Sequence, residues 1–143
     1  MIQLEPKAVL ILAGTNDIAG NTGPVSNSDI EANLTSFAEL AGSHNIRVIL
    51  ASILPVNNYT PKSQELFAQR PPRRILELNA WIEQYCRAHQ LVYLDYFDAM
   101  VDGQGMLKRE FAEDGLHPNA AGFRVMAPVA EKAIERALEK PLP

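Results

Sequence analysis

The chain has 143 residues, 47% of them hydrophobic and 21% charged, which suits one globular domain over residues 1–143 and is too short for two ordinary domains. Thirteen basic and 17 acidic side chains leave a formal net charge of -4 with no block of like charge, which argues against nucleic-acid or anionic-membrane partners. Cys86 is the single cysteine, so an intramolecular disulfide and a multi-thiolate metal site are excluded, and no apolar run approaches the ~20 residues of a membrane span.

In chain order, Ala8 to Ala13 is a continuous apolar run bounded by Pro6 and Gly14, the pattern of a strand covered on both faces. A helix is expected from Asp29 to Ala41, with Ser28 as N-cap, Ile30, Leu34, Phe37, Leu40 and Ala41 on its apolar face, and Gly42 as its stop. Ile46 to Ile53 repeats the strand pattern. The proline-rich stretch from Pro55 to Pro72 reads as a long polar loop, either a substrate-binding lip or a surface excursion. A second helix, about Arg73 to His89, carries Ile75, Leu78, Ile82, Tyr85 and Cys86 at helical spacing, and Leu91 to Leu94 is a third strand. The last helical region follows Asn119, its expected N-cap, with Met126, Ala130, Ile134 and Leu138 as its stripe. Pro128 marks either a kink or the first residue of a further helix. His44 and His89 each end a helix just before a strand, where a partly cationic ring suits the helix C-terminus and has a structural role. Strands alternating with helices imply an α/β fold with a parallel sheet and helices on both faces. Ligands of such sheets bind beyond the carboxyl ends of the strands.

Two polar segments fall where that rule puts a site. Gly14-Thr15-Asn16-Asp17 directly follows the first strand, although Gly, Asn and Asp are also what any turn after a strand prefers. In Asp114-Gly115-Leu116-His117, a turn can return the carboxylate to Nδ1 of the ring. An imidazole so oriented presents Nε2 as a general base, while a helix-entry turn with solvated side chains has the same composition.

Together the segments resemble the SGNH (GDSL) hydrolase family. Gly14 to Asp17 is similar to its G-x-N-D block and Asp114 to His117 to its D-x-x-H block, and the likeness runs from Pro6 to Leu138. The resemblance implies a three-layer α/β/α, flavodoxin-like fold and a serine esterase acting on short acyl or acetyl esters, a small-molecule substrate, without cofactor or metal. It gives His117 the role of general base and Asp114 that of orienting the ring. The Asn16 amide would donate to the developing oxyanion, Gly14, Thr15 and Asn16 would line the substrate, and Asp17 would support the loop.

The family pattern opens with a G-D-S block and a glycine block that are not in this sequence. The chain starts Met1 to Pro6, so it reads as truncated at its N-terminus, without the strand and helix units that carry the nucleophilic serine. With no basic-then-apolar leader the sequence as written reads as soluble and, if its start is natural, cytoplasmic. Ser52, near the end of the second strand, is the best-placed substitute hydroxyl, ahead of Ser26 and Ser28. Loss of earlier strands would leave Ala8 to Ala13 at an open sheet edge, so a homo-oligomer, a strand- or domain-swapped dimer, or complementation by a separate piece is expected. The alternative functions are a non-catalytic fragment or pseudoenzyme serving as a binding or assembly module, and a metal-dependent phosphoesterase using Asp114 and His117, with Asp95, Asp98 and Asp102 nearby in sequence.

Overall fold

The computed structural model describes residues 2–139; Met1 and residues 140–143, the ends of the domain expected over 1–143, lie outside the described residues. The three apolar runs form one parallel sheet in sequence order, from Ala8–Ile11 (β1), Arg47–Ala51 (β2) and Val92–Leu94 (β3). Ala8 lies opposite Arg47 and Ile11 opposite Leu50, while Ile49 lies opposite Val92. The helices are Thr15–Ile18 (α1), Asn27–Ser43 (α2), Ser63–Ala68 (α3), Pro72–Ala88 (α4), Tyr96–Met100 (α5) and Ala120–Glu139 (α6).

The period of two along β2 explains the layering. Val48 and Leu50 face a core with Ile30, Leu34 and Ala38 of α2 and Ile75, Leu78 and Ile82 of α4. Ile49 and Ala51 face the other way, onto Tyr96 and Met100 of α5 and Met126, Ala133 and Ala137 of α6. Helices therefore cover both faces of the sheet, which is the expected α/β/α arrangement. β2 is buried from Val48 to Ala51, whereas all four residues of β1, at one edge of the sheet, are only half-buried. Among the described residues no helix is long and apolar enough to cross a membrane.

Several expectations change. Helix α2 starts at Asn27, and its N-cap is Ser26, not Ser28: the Ser26 hydroxyl accepts from Asp29 N at 3.1 Å while the Asp29 carboxylate accepts from Ser26 N at 2.8 Å. Phe37 and Leu40, expected inward, are 51% and 46% exposed, since Ile30, Leu34, Ala38 and Ala41 form the row that meets the sheet. On α6 the inward residues are Gly122, Met126, Ala133 and Ala137, and Ile134 and Leu138 turn outward. A small residue is required at Gly122, where an added Cβ would meet the Phe111 carbonyl oxygen at 2.9 Å. Pro128 does not start a new helix: it lies inside the continuous α6, on its exposed face. The stretch from Pro55 to Pro72 contains α3, and Pro55, Val56, Asn57, Ser63 and Arg70 within it are buried. The stretch is therefore partly helical and partly buried, with Asn58, Pro61, Lys62, Gln64 and Glu65 exposed.

Candidate active site

The chain leaves β1 through Gly14, whose φ of 111° is open to glycine and strained for other residues. Its position is also tight, since an added Cβ would lie 2.8 Å from Ile53 Cδ1. This buried turn starts α1 at once, with Ile18 N donating to Gly14 O at 2.9 Å. Asn16 is exposed, and Thr15 and Asp17 are half-buried. The Asn16 side-chain oxygen accepts from Asn21 Nδ2 at 3.2 Å. Asp17 shapes the loop through its main chain, its carbonyl accepting from Gly20 N at 3.0 Å.

The second segment is a turn held by one carboxylate. Asp114 Oδ1 accepts from Leu116 N at 3.0 Å and His117 N at 2.9 Å, and Oδ2 lies 2.7 Å from His117 Nδ1. Nδ1 carries the proton in that contact, so the neutral ring keeps Nε2 as a base. The imidazole is 74% exposed and the carboxylate 20%. Burial pushes the Asp114 carboxyl up, but the bonds from the His117 side chain, His117 N and Leu116 N outweigh it and bring the pKa down to about 2. Beneath the turn, Gly115 has φ 78°, and an added Cβ would sit 2.5 Å from Ser63 Cβ and 2.7 Å from Asn57 O. Asn57 N donates to Gly115 O at 3.0 Å, and its Nδ2 donates to Leu107 O at 3.0 Å. Asn119 caps α6 as expected, its Oδ1 accepting from Ala121 N at 2.8 Å and Gly122 N at 3.1 Å.

Both segments therefore rest on the same buried stretch leaving β2, Gly14 against Ile53 and Gly115 against Asn57, beyond the carboxyl ends of the strands. In each, a buried glycine underlies an exposed polar side chain. Exposed oxygen and nitrogen groups supported from below suit proton transfer and oxyanion stabilisation.

Ser52 is not an available hydroxyl. It is fully buried, donates to Asp95 Oδ1 at 3.2 Å and accepts from Phe97 N at 2.8 Å, which ties the end of β2 to α5. Asp95 caps α5 by accepting from Asp98 N at 3.0 Å, and Asp102 holds its own loop by accepting from Gln104 N, Met106 N and the Tyr59 hydroxyl. Among the described residues no three His, Cys, Asp or Glu side chains gather in a group able to hold a metal ion.

Sequence patterns gave no sign of Arg70, which is 2% exposed, with Nη1 on the carbonyls of Leu66 and the Gln69 side chain and Nε without a partner among the described residues. Burial lowers its pKa and the Asp114 carboxylate opposes that. Nor did spacing reveal Asn57 or Asn79, whose side chains bond to backbone far away in sequence.

A family model for GDSL-like lipases and acylhydrolases matches residues 1–125. The chain belongs to this family. Among solved structures it is similar to a Bacteroides fragilis protein assigned as an acylhydrolase, at 34% identity and a TM-score of 0.88, over 97% of this chain and 66% of that one. A GDSL-like lipase from Bacteroides thetaiotaomicron has 39% identity and a TM-score of 0.86, over 96% of this chain and 66% of its own. A catalytic mutant of an acetylxylan esterase from Geobacillus stearothermophilus, at 20% identity and a TM-score of 0.72 over 94% of this chain and 62% of its own, shares the fold. The chain thus spans 66% of the length of the two Bacteroides proteins. No curated protein matches it. As a GDSL-like acylhydrolase domain it carries the two sequence blocks at the sheet edge described above.

Proposed function

We propose that this chain supplies the base and oxyanion half of a carboxylic-ester hydrolase acting on short acyl esters such as acetyl esters. The carrying observation is the 2.7 Å contact between Asp114 and a ring that is 74% exposed. His117 Nε2 takes the proton of an attacking serine hydroxyl and returns it to the leaving alcohol, while Asp114 fixes the tautomer and stabilises the imidazolium. Asn16 donates to the oxyanion, Thr15 flanks it on the substrate side, and Gly14, expected to line the substrate, is buried and supports the turn from below. Among the described residues no serine hydroxyl is hydrogen-bonded to His117, so the nucleophile in this reading comes from a segment outside them.

That segment, or a second copy of the chain, pairs along β1. The strand is half-buried, and Phe37 and Leu40 on α2, Ile134 and Leu138 on α6 and Leu12 beyond the end of β1 are large apolar side chains between 39% and 51% exposed. An unpaired edge is a place where another strand adds.

The test is p-nitrophenyl acetate hydrolysis by the chain together with a serine-bearing N-terminal piece, with a serine-directed fluorophosphonate probe marking which polypeptide carries the nucleophile. Esterase activity lost in His117→Ala supports the reading, and turnover that survives in His117→Ala sinks it. The second reading, a pseudoenzyme serving as an assembly module, draws on the buried and fully bonded Ser52. It requires no turnover even with a serine-bearing N-terminal piece added.

A further inference from the structure

An oxyanion donor made from an asparagine has a weakness that a backbone N–H lacks. The terminal amide rotates about a soft, roughly two-fold torsion, so it presents its NH2 or its oxygen unless something fixes it. At Asn16 the fixing group is visible. Asn21 binds Asn16 twice, its backbone N donating to Asn16 O at 3.1 Å and its Nδ2 to Asn16 Oδ1 at 3.2 Å. With the oxygen engaged, Nδ2 is the end left over, and among the described residues nothing accepts from it.

Asn21 is itself held from below. Gly23 N donates to Gly20 O at 3.0 Å, closing a tight turn around Asn21 in which Gly20 has φ 74°. Arg74, on α4, grips both ends of the loop: Nη1 donates to Ile18 O at 3.1 Å, Nη2 to Val25 O, and Nε to Asn27 Oδ1 at 2.7 Å. Asn27 answers by donating to Arg74 O at 3.4 Å.

We infer that Asn21 is a positioning residue that sets which end of the Asn16 amide faces the site, with Arg74 holding the loop that carries it. This rests on the assignment of Asn16 to the oxyanion made above. The decisive variant is Asn21→Asp, which keeps the backbone bond but meets Asn16 with an acceptor, so the Asn16 amide turns and its oxygen faces the site. Because Asn21 is exposed, the substitution leaves the core intact, and an unchanged melting temperature checks this.

Two readouts separate the inference from its foundation. In 1H–15N spectra of the full chain, Asn21→Asp should move the Asn16 Nδ2 resonances as they acquire a carboxylate partner, while Asn21→Gln leaves them near their original place. Resonances that stay put in Asn21→Asp overturn the inference. In p-nitrophenyl acetate hydrolysis by the chain together with a serine-bearing N-terminal piece, Asn21→Asp should lower kcat by about 100-fold, as loss of one oxyanion donor does, with KM changed less than about twofold. The Asn16→Ala, Asn21→Asp double variant should be no slower than Asn16→Ala alone. Losses that multiply overturn the inference, whereas Asn16→Ala at full activity overturns the oxyanion assignment and leaves the spectra to decide on Asn21.

Discussion

Asp114 accepts from Leu116 N, His117 N and His117 Nδ1 at the same time, so replacing it separates structural from chemical work. Asp114→Asn keeps an oxygen for the two backbone donors but turns an N–H toward Nδ1, forcing the other tautomer. We expect kcat in p-nitrophenyl acetate hydrolysis, measured with a serine-bearing N-terminal piece added, to fall by the order of a thousandfold or more, with a lower melting temperature from loss of the carboxylate's charge but the fold retained. The carboxyl lies at about 2 in the fold against an ordinary 3.8. Its contribution to stability is therefore complete above that ordinary value and is lost as pH falls through about 2. A 13C titration of the Asp114 carboxyl should show a midpoint near 2, and a midpoint near 3.8 would refute the hydrogen-bonded turn. Gly115 allows a harsher test. Gly115→Ala sets a left-handed backbone against Ser63 and the Asn57 carbonyl, and should cost roughly 3 kcal/mol in urea unfolding. The two site segments were legible because each is short and contiguous. Asn21 was not singled out, since an asparagine in a glycine-rich turn reads as turn chemistry until its side chain is seen on Asn16.

At the level of elements, Ser28 reads from the sequence as the cap of α2, but the fold caps the helix two residues earlier, at Ser26 with Asp29. The earlier start brings Asn27 into the first turn, where it meets Arg74. Ser26→Ala should cost about 1 kcal/mol in urea unfolding and Ser28→Ala under about 0.5. Equal losses would contradict the observed cap. The strands were legible from apolar runs alone, though each proved shorter than its run. Side-chain orientation on α2 and α6 was not legible. An apolar residue reads as inward by composition, yet Phe37 and Ile134 face outward because smaller residues let both helices lie close to the sheet.

For the molecule as a whole, the open side at β1 is where association is expected. Light scattering at tens of micromolar, roughly where weak contacts show, should give a mass above that of the monomer. The paired substitutions Phe37→Glu and Leu40→Lys should lower it, and a clean monomer at that concentration would count against pairing through this side. Helix α4 has a wider consequence. Asn79, buried within it, accepts from Ile53 N at 2.7 Å and donates to Ile53 O at 2.9 Å, continuing the ladder of β2 past the end of the sheet with a side chain. Arg74, five residues earlier, grips the loop of Asn16. One helix thus works as a ruler, with about 7.5 Å of its axis separating the grip on the loop after β1 from the grip on the stretch leaving β2. Inserting a single residue between those two anchors would rotate one grip away from the other and shift the loop of Asn16 against that stretch.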